Sequence, residues 1–432
     1  MDPIARTEAE KLWNCTQEDE RIPIWLDCDT GHDDAFAILL AAKCPKFSLL
    51  GVSTLHGNSS CDNTTKNSLS VLEAIGRRDV PVYRGATKPF CREAVYAPAY
   101  HGETGLDGTT LLPEPIQKAE TGISAVEAMY QALINTPKGT AWLTATGALT
   151  NVALLLAVHP DIASHLGGLS IMGGAVGGFF TNAPMGMIKE RVQLSKDLSK
   201  MLPGGLHDHP DMPIEEVAQM FHKLGIIQET NDRTNALLNE VRNYYGNWTP
   251  VAEFNIFLDP EAANCVFSNT ELAGKTTLIP LDISHQVLAD KDVLQMLAYG
   301  YENKTESKKP TTLRALFMEI ITFFAFTYLK EAGMEAGPPL HDPIAVAAAL
   351  APGIFDDHDG ERFEVDVVTE GENAVFRRRR DNRRPGQCGR TVVRAVEKGR
   401  PGVRIPRSLN TGVFWSFVDF ALLGAEMTSP LA

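Results

Sequence analysis

The sequence has no C-x-x-C pair among its seven cysteines. An odd, scattered set of thiols argues against a disulfide framework and fits a reducing compartment. Its opening, "MDPIARTEAEKLWNCTQEDER", lacks both the basic and the apolar region of a secretory signal. Long uncharged apolar runs are missing too. The most apolar helical stretch, "LRALFMEIITFFAFTYLK" (Leu313–Lys330), is interrupted by Glu319. It falls short of the ~20 residues that span a bilayer and reads as a buried core helix. Positive charge is in the minority: Lys+Arg 40 against Asp+Glu 54 leaves a net charge of −14. Such a chain is a poor binder of nucleic acid or anionic membrane. The expected location is the cytoplasm, with no nucleic-acid or membrane partner.

What remains is an ordinary globular composition, 432 residues with 44% hydrophobic and 22% charged, enough for one large α/β domain. Short apolar runs alternate with helical patterns. "IPIWLDC", "FSLLGVSTL", "VPVYRG", "TAWLTATG" and "LGGLSIMGG" read as strands. Asp34–Lys43, "NTTKNSLSVLEAIGR", "ISAVEAMYQALINTP" and "LTNVALLLAVHP" read as the helices between them. This order predicts an α/β fold: an open, mostly parallel sheet with helices on both faces. Ligands of such sheets bind at the carboxyl ends of the strands. Polar clusters stand there, after Cys28, Leu55, Ala145 and Met172.

Two segments depart from the alternation. Residues 187–245 read as a helical insertion, with Ile214, Val217, Ala218, Phe221 and Leu224 on one face and Leu237, Leu238, Val241, Tyr244 and Tyr245 on another. "FRRRRDNRRPGQCGR" (Phe376–Arg390) holds six arginines between Arg377 and Arg384. No aromatic residues interleave for base stacking, so it reads as a solvated loop between strands "RFEVDVVTE" and "GRTVVRAVE".

The densest chemistry lies in "DCDTGHDDA". Asp27, Asp29, Asp33 and Asp34 fall at a strand end and in the first turn of a helix. A helix N-terminus favours each negative charge by up to ~1 kcal/mol. Two carboxylates about 5 Å apart repel by roughly 3 kcal/mol at an effective dielectric of 20. Helix capping accounts for one or two of the four. The group therefore calls for a cation, a shared proton or separation, and an all-oxygen set suits Ca²⁺ or Mg²⁺. The segment alone leaves two chemistries open. Its paired D-x-D aspartates are also those of haloacid-dehalogenase-like phosphatases, with Asp27 as nucleophile and Mg²⁺ as cofactor.

Other polar blocks weigh against that alternative. "LHGNSS" carries Asn58, and "AYHGETGLDG" puts His101 in a glycine-rich loop. "TATGALTN" offers carbonyls at a strand end. "GNWTPVAEFNIFLDPEAA" gathers Asn247, Glu253 and Asn255, and "PPLHDPIAVAAAL" sets His341 and Asp342 before a helix. Each has a local reading: Asn247 as a turn residue, Glu253 and Asn255 as caps, Asp342 as N-cap with Pro343 at the first helical position. Together, amides and carboxylates in glycine-rich loops suit a polyhydroxylated ligand.

In order, "DCDTGHDDA", "HGN", "HGETGLDG", "TGALTN", "MGGA", "GNWTPVAEFNIFLDPEAA" and "HDP" resemble the blocks of the inosine–uridine-preferring nucleoside hydrolase family. The family usually has Pro where this chain has Thr30. The resemblance covers roughly residues 22–186 and 246–418. It implies a single nucleoside-hydrolase-type domain over 22–418, interrupted by the 187–245 insertion, with a 1–21 extension and a 419–432 tail. It implies Ca²⁺ held by Asp29, Asp34, Asp342 and the Thr146 carbonyl, and ribose hydroxyls bound by Asp33, Asn58, Asn247, Glu253 and Asn255. Asp29 would be the general base that activates water on C1′. His341, then His101, would serve the leaving base. The expected activity is hydrolysis of ribonucleosides to ribose and base, uridine favoured, by a homodimer or homotetramer. A nucleoside-binding protein without turnover is the alternative if the insertion displaces Asn247 or Glu253.

Overall fold

The computed structural model describes residues 2–14, 21–178, 180–181, 183–185, 212–223, 225, 227–243, 245–301, 309–371 and 386–432. Six strands form the main sheet: β1 (Ile22–Cys28), β2 (Phe47–Thr54), β3 (Val82–Arg84), β4 (Trp142–Ala145), β5 (Gly168–Met172) and β6 (Thr276–Ile279). They lie in the order β3-β2-β1-β4-β5-β6, and every pairing is parallel. The sequence pattern gives the first five. β6, "TTLI", is a four-residue strand with two threonines, too short and too polar to stand out.

Side chains alternate across β1, as strand geometry requires. Ile24, Leu26 and Cys28 enter one apolar cluster, and Trp25 enters the other. Helices cover both faces. On the first are α1 (Pro3–Trp13), α2 (His32–Lys43) and α3 (Cys61–Ala74). The second is covered by α4 (Ala125–Ile134) and α5 (Thr150–Val158). α2 starts two residues before the expected Asp34, because Asp34 Oδ2 reaches back to the Gly31 N–H at 2.8 Å and closes the first turn.

Among its described residues the insertion forms two helices, α6 (Ile214–Lys223) and α7 (Asp232–Asn243). Val217, Ala218, Phe221 and Leu238 meet in a small cluster of their own. Residues 186–211, Leu224 and Tyr244 lie outside the described residues, as does the arginine run within 372–385. α8 (Phe254–Leu258) and α9 (Pro260–Phe267) then return the chain to the sheet. The apolar run becomes α10 (Thr312–Ala332), whose Leu313, Phe317, Ile320 and Phe324 are buried in the core. By length and composition alone this helix is also apolar enough to cross a membrane. α11 (Asp342–Leu350) has His341 as its N-cap and Asp342 as its first residue, so the sequence reading of Asp342 as N-cap is corrected by one position. β7 (Phe363–Val367) and β8 (Thr391–Ala395) pair antiparallel outside the main sheet.

The strand order reverses between β1 and β4, and a crevice opens there at the carboxyl ends. α12 (Thr411–Glu426) closes the chain. Its fully buried Asp419 accepts from Arg6 Nη1 of α1 at 2.7 Å and Arg314 Nη2 of α10 at 3.4 Å. Removing the shared carboxylate strips Arg6 of its buried counter-charge and leaves Arg314 with Glu426 alone, whose Oε1 lies 3.0 Å from its Nε. Asp419→Ala is expected to cost about 3 kcal/mol, read as a lower urea midpoint; an unchanged midpoint would show that the pair contributes nothing.

Candidate active site

β1 ends and α2 begins within four residues, so Asp29, Asp33 and Asp34 arrive together. α11 brings Asp342 in from across the core. Carboxylate oxygens of Asp33, Asp34 and Asp342 lie within 4.8 Å of one another, all buried. The N-termini of α2 and α11 both face this point, and their dipoles favour the charge. Asp34 is held on every side: Oδ2 accepts from Gly31 N and from Asn58 Nδ2 at 3.2 Å, and Oδ1 accepts from Thr146 Oγ1 at 2.8 Å. Asp29 Oδ2 accepts from the Asn58 N–H at 2.7 Å. Asp29 Oδ1 and Asp33 Oδ1 are buried with no partner among the described residues.

The electrostatics match the geometry. Burial, then the charges of Asp33, Asp34 and Asp29, pushes Asp342 well above the usual carboxylate range. Burial and Asp34 push Asp29 well above it and bring Asp33 to about 7. Without a counter-ion the cluster holds protons. Two partnerless carboxylate oxygens beside two further carboxylates fit a hard divalent cation. The Thr146 carbonyl also faces Asn255, whose Nδ2 donates to it at 2.8 Å, and its second lone pair would serve the same cation.

The opposite wall is built by the residues after the insertion. Glu253 caps α8, accepting at Oε1 from Asn255 N and at Oε2 from Ile256 N. Its Oε2 also accepts from Gly174 N at 2.8 Å. That bond ties "MGGA" to "AEFN" across the insertion, so Glu253 is not displaced. Asn247 Oδ1 accepts from Phe254 N at 2.9 Å and fixes the turn before the helix. Asp33, Asn58, His101, Thr146, Asn247, Glu253, Asn255, His341 and Asp342 all line one cleft. Asp29 and Asp34 are fully buried. Burial raises Glu253 to about 7.

The third wall comes from α10 and was not legible as functional. Phe324 and Tyr328 line the cleft. Tyr328 Oη lies 2.7 Å from His341 Nε2, and Ser284 Oγ lies 2.7 Å from His341 Nδ1. Both ring nitrogens of His341 are thus engaged, and its route to the cleft runs through the tyrosine hydroxyl. Burial holds Tyr328 well above the ordinary phenol range and His341 well below the ordinary imidazole range. The available signal was the one phenol of a mostly apolar stretch, one helical turn after Phe324.

Asp27 stands apart. Its Oδ1 accepts from Ser53 and from Asn151 Nδ2, on the Trp25 side of the sheet. That oxygen is committed to Ser53 and Asn151, and Asp27 is no member of the Asp33–Asp34–Asp342 group, so the phosphatase reading, with Asp27 as nucleophile, is not favoured.

A cleft of buried carboxylates facing amides, at a strand-order reversal of a parallel α/β sheet, suits a polyhydroxylated ligand. The model of the inosine-uridine preferring nucleoside hydrolase family matches residues 24–416. The chain is 35% identical to a uridine nucleosidase of Saccharomyces cerevisiae, over 95% of this chain and 98% of the yeast one. It is 34% identical to a pyrimidine-specific ribonucleoside hydrolase of Shewanella woodyi, over 81% and 85% of the two chains. A purine-preferring ribonucleoside hydrolase from Gardnerella vaginalis shares the fold, with a TM-score of 0.66 at 21% identity over 94% and 99% of the chains. The chain belongs to the inosine-uridine preferring nucleoside hydrolases, enzymes that hydrolyse N-glycosidic bonds.

Two outcomes follow. Cation binding must displace protons from groups such as Asp33, raised to about 7 by burial and the neighbouring Asp34 charge. Affinity for a divalent cation therefore rises as pH rises through 7. Titration calorimetry in buffers of different ionisation enthalpy will show protons released at pH 6 and fewer at pH 8; equal release at both would contradict the shared-proton cluster. Gly57 abuts Asp29: a Cβ there would lie 1.9 Å from Asp29 Oδ2. Gly57→Ala is expected to weaken cation binding about tenfold or more in the same assay.

Proposed function

We propose that the protein is a Ca²⁺-dependent ribonucleosidase that prefers uridine, with Asp29 as general base and His341 acting through Tyr328 on the leaving base. The observation that carries this is the partnerless, fully buried Oδ1 of Asp29, set beside the Asp33–Asp34–Asp342 group. The uridine preference draws on the yeast and Shewanella relatives, named for uridine and pyrimidine substrates. Asp29, Asp34, Asp342 and the Thr146 carbonyl would hold the ion, which would neutralise the cluster and acidify a nearby water.

The chain's own groups do the rest. The Asn58 N–H pins Asp29 Oδ2, which leaves Oδ1 to take the proton of the attacking water. Asp33, Asn58, Asn247, Glu253 and Asn255 receive the ribose hydroxyls. Several are already fixed by backbone bonds, so they orient sugar without reorganising. Negative side chains around the sugar stabilise the positive charge that develops at C1′ as the bond to the base breaks. At the aromatic end, burial keeps the Tyr328 phenol protonated until it gives its proton to the leaving base; the phenolate then accepts a hydrogen bond from the neutral His341 Nε2–H, and solvent returns the proton as product leaves. The same reading puts the protein in the cytoplasm, on the odd, scattered cysteines of its sequence, and in a homodimer or homotetramer, on its family resemblance.

Ribose release from uridine, inosine, cytidine and adenosine with Ca²⁺ tests this reading; no release from any of them would refute it. Asp29→Ala is expected to lose activity by about 1,000-fold or more while retaining its fold; near-normal turnover would remove Asp29 from the base role. Tyr328→Phe is expected to lower kcat on uridine about 100-fold with little change in KM. An unchanged kcat would send the leaving-group proton by another route.

A further inference from the structure

His101 lines the cleft beside Phe324, and its Nδ1 faces α2. There it lies 3.2 Å from Nδ1 of His32. His32 is fully buried, and its ring runs parallel to those of Phe323 and Phe324, with centroids 5.1 and 5.4 Å away. Its other nitrogen, Nε2, lies 2.8 Å from the carbonyl oxygen of Asp107.

A carbonyl oxygen only accepts, so His32 carries its proton on Nε2. The buried ring is neutral, so its Nδ1 is a bare lone pair. The 3.2 Å contact is a hydrogen bond only if His101 Nδ1 supplies the proton. The opposite tautomer would set two lone pairs against each other. Its one gain would be a bond from the His32 backbone N–H, at 3.4 Å longer than ordinary N–H geometry. Burial also holds His101 well below the ordinary imidazole range, so the ring has one proton to place.

We infer that His32 is a positioning residue that places the single proton of His101 on Nδ1, so that His101 Nε2 meets the nucleoside as a hydrogen-bond acceptor. The Asp107 carbonyl, the His32 ring and the His101 ring form one directed chain from the glycine-rich loop into the cleft. The inference rests on the nucleoside reading above. It also divides the two histidines: His341 stands behind the tyrosine that supplies the proton, and His101 receives a donor. The aromatic end of the cleft, where His101 sits with Phe324 and Tyr328, suits the base rather than the sugar. The chemistry selected is a nucleobase with a ring N–H, as in uracil or hypoxanthine.

The tautomer is read directly from ring ¹⁵N shifts of histidine-labelled protein without substrate, with His101→Gln identifying the resonances. The expected result is a protonated Nδ1 and an unprotonated Nε2. His32→Phe keeps the stacked ring but removes the acceptor, and is expected to lose that assignment. His32→Asn returns an acceptor near the Nδ1 position and is expected to restore it. An Nε2–H tautomer in the unaltered protein, or the same tautomer in His32→Phe, overturns the inference.

Kinetics give the second reading. His32→Phe is expected to lower kcat/KM on uridine about tenfold, the worth of one hydrogen bond. It should leave p-nitrophenyl riboside, whose leaving group has no N–H, unchanged. Equal losses on both would mean that His32 only supports the fold, which overturns the inference. If the unaltered protein releases ribose from no nucleoside, the nucleoside reading fails, while the ¹⁵N spectra still decide the tautomer.

Discussion

Carboxylates buried within 4.8 Å of each other cannot all be charged without compensation. Much of the architecture around the cleft answers that constraint. Two helices aim their N-termini at the cluster. Asn58 and Thr146 spend their donors on Asp29 and Asp34. Gly57 withholds a side chain so that a backbone amide can reach Asp29. What these contacts leave uncompensated is concentrated on Asp29 Oδ1 and Asp33 Oδ1. Those are the atoms our proposal assigns to the cation, the attacking water and the ribose.

The rest of the cleft works by prior commitment. Glu253, Asn247 and Asn255 are each tied to backbone before any ligand arrives. Their remaining lone pairs therefore point in set directions. The bond from Gly174 to Glu253 also explains how a chain with a long insertion keeps its site intact. The inserted helices α6 and α7 pack their buried apolar residues on each other, and the two flanking blocks meet through the Glu253 carboxylate and through Asn255 Nδ2, which donates to the Met172 carbonyl at 3.3 Å.

The sequence reveals the parts of this design whose signals are local. "IPIWLDC" reads as a buried strand because a continuous apolar run of that length has few other uses. The cleft's acidic and amide residues were legible because polar clusters at strand ends in a parallel sheet have a known place. The amphipathic spacing of Val217, Ala218 and Phe221 gave α6. Contributions made by packing were not legible. Tyr328 and Phe324 look like core because α10 is core over most of its length. His32 reads as one more helix residue until the fold brings His101 against it. Asp27 looks like its neighbours, yet strand alternation turns it to the Trp25 side. β6 was missed because its burial comes from the strand beside it, not from its own sequence.

The central claim is that a divalent cation, Ca²⁺ by our proposal, replaces the protons of the aspartate cluster. Diffraction from crystals grown with Ca²⁺ tests it most directly. The account predicts a peak with six to eight oxygen ligands at about 2.3–2.6 Å, among them Asp29, Asp34, Asp342 and the Thr146 carbonyl. Carboxylates still hydrogen-bonded to one another around no ion, at saturating Ca²⁺ and neutral pH, would contradict it.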